Sequence, residues 1–167
     1  MADTIFKLAE LLKKNNLILM TAESCTGGLV AKLCTGLSGS SAWFAGSVVA
    51  YSNEIKQTVL GVKSETLTQV GAVSEPVAKE MAQGLAELAK RADNSQSVIT
   101  LAITGIAGPH GATADKPVGT VCFAWSHGAK ILAYETRQFS GNRDEVRSSA
   151  AEYALQKALQ LCQENIQ

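Results

Sequence analysis

The segment Thr21-Ala22-Glu23-Ser24-Cys25-Thr26-Gly27-Gly28 puts a hydroxyl, a thiol and two glycines where a short apolar run gives way to a helical pattern. A strand-to-helix turn of this kind aims backbone N–H groups at one point and suits an anion or a developing oxyanion. The plain alternative is that Ser24 or Thr26 caps the helix while Gly27 and Gly28 ease the turn. No Gly-Lys-Ser/Thr follows at the required spacing, so the loop is not a Walker A motif. A serine nucleophile needs a base, and neither His110 nor His127 stands in a motif with an aspartate. Lys56, in Tyr51-Ser52-Asn53-Glu54-Ile55-Lys56, can serve if it is neutral. That requires it to titrate roughly 3 pH units lower than usual, or ~4 kcal/mol. Burial, the positive end of a short helix and a cationic substrate each push in that direction. Tyr51 could relay the proton. On spacing alone, however, Lys56 reads as a solvated lysine beside Glu54.

Thr104-Gly105-Ile106-Ala107-Gly108-Pro109 is a second Gly-rich strand end, able to line a pocket through backbone groups and the Thr104 hydroxyl. Arg143 falls in the first turn of the last helix, where an arginine suits a phosphate; a surface cluster with Asp144 fits equally well. Cys25 is the better intrinsic nucleophile, and a helix N-terminus lowers a thiol's pKa. It lacks a His-Asn or His-Asp partner, so packing under the loop is the simpler role. His110 and His127 lie in loops and read as exposed.

The elements that must position these residues follow from periodicity. Ile5, Leu8, Leu11 and Leu12 predict a helix to about Lys14, capped by Asp3 or Thr4. Leu17 to Met20 reads as a buried strand ending in the Ser24 loop, and a second helix runs from Gly27-Gly28 to about Leu37. Gly46 to Tyr51 is a second strand, after which Ser52 caps a short helix carrying Asn53, Glu54 and Lys56. Ser74-Glu75-Pro76 starts a long helix with Val77, Met81, Leu85 and Leu88 on one face. Ser97 to Thr104 is a third strand, and His110 to Pro117 an exposed loop. Gly119 to Ser126 and Lys130 to Phe139 form an antiparallel pair across His127-Gly128-Ala129. Asn142 caps the last helix with Glu145 three positions on, and Val146, Ala150, Tyr153, Leu155, Ala158 and Leu159 supply its buried side. The fold class is therefore α/β: a three-layer α/β/α sandwich around a mixed, mostly parallel five-stranded sheet. Ligands in such sheets gather at the carboxyl ends of the strands, where the Ser24 loop, the Tyr51–Lys56 segment and the Thr104–Pro109 loop converge.

Composition narrows the partners. The 167 residues fit one domain, and 15 basic residues balance 15 acidic ones, leaving no electrostatic footprint for nucleic acid or an anionic membrane. Cys25, Cys34, Cys122 and Cys162 are scattered, which argues against structural zinc and a disulfide framework and for reduced thiols in the cytoplasm. No metal or cofactor is expected. Met1 to Lys14 is amphipathic and is expected to be neither a signal peptide nor a membrane span.

Thr21–Gly28, Val49-Ala50-Tyr51-Ser52-Asn53-Glu54 with Lys56, Gly71-Ala72-Val73-Ser74, Thr104–Pro109 and Lys116-Pro117-Val118-Gly119-Thr120-Val121 occur in this order. Together they make the chain resemble the C-terminal domain of the competence/damage-inducible protein CinA in its stand-alone form, over nearly all of residues 1–167. The resemblance implies a nicotinamide-nucleotide amidohydrolase, converting nicotinamide mononucleotide and water to nicotinate mononucleotide and ammonia. It assigns the motif serine to Ser24, the tyrosine to Tyr51 and the lysine to Lys56. Lys56 then acts as the base, Tyr51 relays or positions the proton, and amides near Thr26-Gly27 hold the oxyanion. Cys25, Thr26, Gly27, Gly28, Asn53, Thr104, Gly105 and Arg143 are the expected substrate contacts, the last three for ribose and phosphate. It also suggests a homo-oligomer. At His110 family members commonly show Gly or Asp, and the loop to Asp115 is expected to border the pocket. A rival reading is a nucleotide-binding paralogue without hydrolysis, serving in sensing or as a scaffold.

Overall fold

Five strands form one sheet in the order β2-β1-β3-β4-β5 in the computed structural model, which describes residues 1–91 and 97–166. The strands are β1 (Leu17–Glu23), β2 (Phe44–Val49), β3 (Ser97–Gly105), β4 (Thr120–His127) and β5 (Lys130–Gln138). β1 pairs parallel with β2 and β3, whereas β4 pairs antiparallel with both β3 and β5. Four strands thus share one direction and β4 alone is reversed. The expected β4–β5 hairpin is present, and β3–β4 adds a second antiparallel pairing.

The helices divide between the faces. On one lie α1 (Ala2–Lys14), α2 (Leu29–Thr35) and α6 (Arg143–Asn165), packed on Leu19, Leu101, Phe123 and Trp125. On the other lies α5 (Glu75–Arg91), with α3 (Asn53–Thr58) and α4 (Ser64–Val70) before it in the chain. Alternation along each strand makes the faces unequal: the α5 side presents Ala22, Ala102, Cys122 and Ala124. Small side chains let α5 sit close, and the Thr100 hydroxyl donates to the Ala82 carbonyl at 3.0 Å. Opposite that contact, an added Cβ at Gly84 would lie 1.7 Å from the Leu60 carbonyl oxygen. Gly84→Ala should therefore cost about 3 kcal/mol. For a domain of this size that lowers Tm by about 6–12 °C in a melting scan.

Several local expectations change. α1 begins at Ala2 with no side-chain cap, Asp3 lying in its first turn. β1 extends three residues beyond Met20, so Ser24 directly follows the strand. β2 starts and stops earlier than expected, leaving Ala50 and Tyr51 beyond its end. α2 is capped by Gly28 in a left-handed conformation, not by Ser24 or Thr26. Ser52 does cap α3, accepting from the Ile55 N–H at 3.2 Å. Asn142 and Glu145 form the expected capping box. Among the described residues, no helix is long and apolar enough to cross a membrane.

The order β2-β1-β3 matters most for a site. The chain leaves β1 through α2 on one face to reach β2, then returns across β1 through α5 on the other face to reach β3. β1 is the point where the winding reverses, and a crevice opens beyond its carboxyl end.

Candidate active site

The sheet ladder continues past the end of β1. Ser24 N–H donates to the Ile103 carbonyl at 2.9 Å, and Ala50 N–H donates to the Glu23 carbonyl at 2.9 Å. Ser24, Ala50 and Thr104 are thereby brought level at the ends of three adjacent strands. The helix after Ser52 then turns Lys56 back beneath this row, where it is 1% exposed.

The Lys56 Nζ lies 3.0 Å from Ser24 Oγ, 2.9 Å from the Ala50 carbonyl oxygen and 3.2 Å from the Tyr51 carbonyl oxygen. Two of these partners can only accept. A neutral amine has two N–H groups for the two carbonyls and one lone pair for the Ser24 O–H. An ammonium satisfies the same geometry by donating to Ser24 Oγ instead, so the cradle holds either protonation state. Among the described residues no carboxylate forms an ion pair with Lys56. Burial is the main influence on it and pulls its pKa below the usual 10.5. Glu54, whose neighbourhood suggested a surface lysine, is itself exposed on the far side of the short helix.

A cavity of about 230 Å³ opens on this pair. Of the expected site residues, Ser24, Cys25, Tyr51, Asn53, Lys56, Thr104, Gly105 and Arg143 line it, together with His110. Thr26, Gly27 and Gly28 are not part of the lining. His127 sits at the opposite end of the sheet, paired with Ile99 in the ladder and bonded to Ser97 Oγ at 2.8 Å.

Three side chains differ from expectation in what they hold. The Tyr51 hydroxyl accepts from Arg143 Nη2 at 3.1 Å and bonds to neither Ser24 nor Lys56, so the proton relay has no hydrogen bond in this arrangement. Arg143 Nη1 also donates to the Gly108 carbonyl at 2.6 Å, so the guanidinium spans the cavity mouth. The Thr104 hydroxyl donates to the Ala72 carbonyl at 2.8 Å, which leaves it only acceptor capacity toward a ligand. The Cys25 thiol is pushed up to about 12, chiefly by burial, with its own backbone amide pulling the other way. It is a protonated thiol at neutral pH, and the lowering expected from the helix terminus is overturned.

The start of α2 is already occupied by Glu23, a residue given no role from sequence. This carboxylate is 0% exposed and accepts from the N–H groups of Gly28 (3.0 Å), Val30 (3.1 Å) and Ala31 (2.9 Å). Gly27 N–H donates to the Ser24 carbonyl and Leu29 N–H to the Thr26 carbonyl. Between Ser24 and Ala31, only the amides of Cys25 and Thr26 lack an oxygen acceptor among the described residues. An oxyanion there can therefore use neither the Gly27 amide, which is bonded to the Ser24 carbonyl, nor that of Thr26, which is 0% exposed; the amide of Cys25, a residue that lines the cavity, remains. On the far side of the turn, Arg147 Nη2 donates to the Thr26 carbonyl at 3.0 Å. The signal for Glu23 was its place in line with Leu17, Leu19 and Thr21 on one strand face, an acid where an apolar residue is usual.

Comparisons with known proteins agree with this architecture. The family model described as the CinA C-terminal domain matches residues 2–162. The nicotinamide-nucleotide amidohydrolase PncC of Escherichia coli K12 is 51% identical over 152 residues, covering 90% of this chain and 87% of that protein. A CinA-like protein of Syntrophomonas wolfei is 53% identical over 134 residues, which cover 80% of this chain and 30% of that longer protein. Among solved structures, a CinA superfamily protein of Klebsiella pneumoniae 700603 superposes with a TM-score of 0.89 at 33% identity, covering 98% of each chain.

Proposed function

Since the chain belongs to the CinA C-terminal domain family, we propose that it hydrolyses the carboxamide of nicotinamide mononucleotide to nicotinate mononucleotide and ammonia, in pyridine nucleotide salvage. The observation that carries the reading is a fully buried lysine amine 3.0 Å from a serine hydroxyl, with no carboxylate among the described residues paired to it to keep it charged.

Ser24 Oγ attacks the carboxamide carbon while its proton passes to Lys56 Nζ. The carbonyl oxygen becomes an oxyanion, held by the amide of Cys25. Collapse breaks the C–N bond, and the Lys56 ammonium returns its proton to the departing ammonia. Water then attacks the resulting ester with Lys56 again as base, releasing the carboxylate and restoring the Ser24 hydroxyl. The pyridinium ring of the substrate is cationic, so its approach further favours the neutral amine. Tyr51 contributes to the dyad through its carbonyl, which orients Lys56, and through its exposed ring at the rim. Arg143 and His110 face the phosphate end, with Asn53, Thr104 and Gly105 along the ribose. Assembly as a homo-oligomer and residence in the cytoplasm belong to the same proposal, on the family resemblance.

The test is ammonia release from nicotinamide mononucleotide, nicotinamide riboside and free nicotinamide in parallel. The mononucleotide should have the highest kcat/KM, because only it carries the phosphate for Arg143. Nucleotide binding without ammonia release would support the binding-module reading instead. The rate should also rise with pH as Lys56 loses its proton, since only the amine can accept one. The shift in Lys56 places that limb below pH 10.5. A rate independent of pH, with chemistry limiting, would remove Lys56 as the base.

A further inference from the structure

We propose that Glu23 is a positioning residue for this reaction: its buried carboxylate holds the turn that leaves the amide of Cys25, which lines the cavity, free for the reacting oxygen. The inference rests on the amidohydrolase reading and assigns a task to a group that the chemistry above does not touch.

Glu23 ends β1 and is locked in the sheet, its backbone flanked by Val49 and Ile103. Among the described residues it has no cationic partner, and its charge is met by hydrogen-bond donors alone. Oε2 accepts from the Gly28 and Val30 amides, and Oε1 from the Ala31 amide. The hydroxyls of Thr21, at 3.3 Å, and Ser47, at 3.4 Å, approach Oε1 from neighbouring backbone positions and fix its orientation. The turn between carboxylate and helix passes through left-handed Gly27 (φ 60°) and Gly28 (φ 90°), a path that folds the Gly28 amide back onto Glu23. Such charge-assisted bonds are stronger than neutral ones, and an unpaired buried amide is costly. The carboxylate therefore decides which amides of the turn stay free. It also occupies the place at the start of α2 that an anionic substrate group would otherwise take, which leaves substrate phosphate to Arg143.

Glu23→Gln keeps the shape but turns an N–H2 toward backbone donors, so the turn must reorient. At a temperature where the variant is folded by circular dichroism, kcat for nicotinamide mononucleotide should fall about 100-fold or more, as when one oxyanion donor is lost. KM should stay within about threefold, because ribose and phosphate contacts lie elsewhere. A fluorophosphonate provides a second readout that does not depend on the natural substrate. It forms a Ser24 Oγ–P bond with loss of fluoride and a proton, and its phosphonyl oxygen needs the same Cys25 amide. Its labelling rate should fall in parallel with kcat. A lower Tm with kcat and labelling unchanged in the folded variant would make Glu23 merely structural and overturn the proposal, as would a raised KM with kcat kept. If Glu23→Gln does not fold, Thr21→Val combined with Ser47→Ala removes the two hydroxyls that aim the carboxylate. That variant must slow both rates severalfold or the proposal falls. A wild-type chain labelled by the probe but inert toward the nucleotide would sink the substrate reading while leaving Glu23 tested by labelling. A wild-type chain inert to both would remove both.

Discussion

Ser24→Ala is expected to lower ammonia release from nicotinamide mononucleotide by about 10⁴-fold or more, as removal of a hydrolase nucleophile does. Only the Oγ that meets Lys56 is lost, and the neighbouring backbone bonds to Ile103 and from Gly27 do not involve it. Stability should therefore change by no more than about 1 kcal/mol. Nucleotide affinity, measured by calorimetry, should stay within about threefold of wild type, since the oxygen acts in the transition state. Turnover surviving at a tenth of the wild-type rate would assign the chemistry to another group. Cys25 is a poor heir, because burial keeps its thiol protonated at neutral pH.

Lys56→Met should be almost as severe, with a loss of about 10³-fold, within the range for removal of a general base. Methionine preserves much of the buried stem and removes the group that titrates. Its effect on stability has a sign that can be worked out. Burial lowers the Lys56 pKa in the folded chain, so between that value and 10.5 the unfolded chain binds more protons. Wild-type stability therefore rises with pH through this window, and below it the full cost of a disfavoured charge persists. Methionine has no such dependence. The stability of wild type minus that of Lys56→Met should become more positive as pH climbs toward 10.5, read from urea midpoints at several pH values. A difference that does not vary with pH would mean that Lys56 is not desolvated. The variant also strands the Ala50 and Tyr51 carbonyls, which offsets part of any gain at neutral pH.

What could be seen without a structure depended on whether local pattern carried it. The strands and long helices were legible because apolar residues recur at the period of each element, and the Asn142–Glu145 box because its partners are three residues apart. α4 was missed for the converse reason: none of Ser64 to Val70 is buried, so no apolar face marks it. Ser24 and Tyr51 could be placed at strand ends. That Lys56 turns inward could not be read, because the carbonyls and hydroxyl that receive its amine lie across a strand-to-helix turn and 32 residues away. Glu54 two positions earlier argued for a solvated face, yet the two side chains leave α3 in different directions. Family resemblance, and not spacing, brought Lys56 to Ser24, and motif spacing does not say that the Tyr51 hydroxyl meets Arg143. Glu23 was illegible as a positioning group for the same physical reason as Lys56: its partners are backbone amides, which no residue type announces.

Ser24 is not carried on a free loop; the hydrogen-bond ladders of β2 and β3 run on to reach it and the carbonyl cradle of Lys56. Fraying at that end of the sheet is therefore opposed from both sides at once, and the reactive geometry belongs to the same cooperative unit as the core. Heat should not produce a species that is still folded yet already inert. Catalysis and fold should fail together.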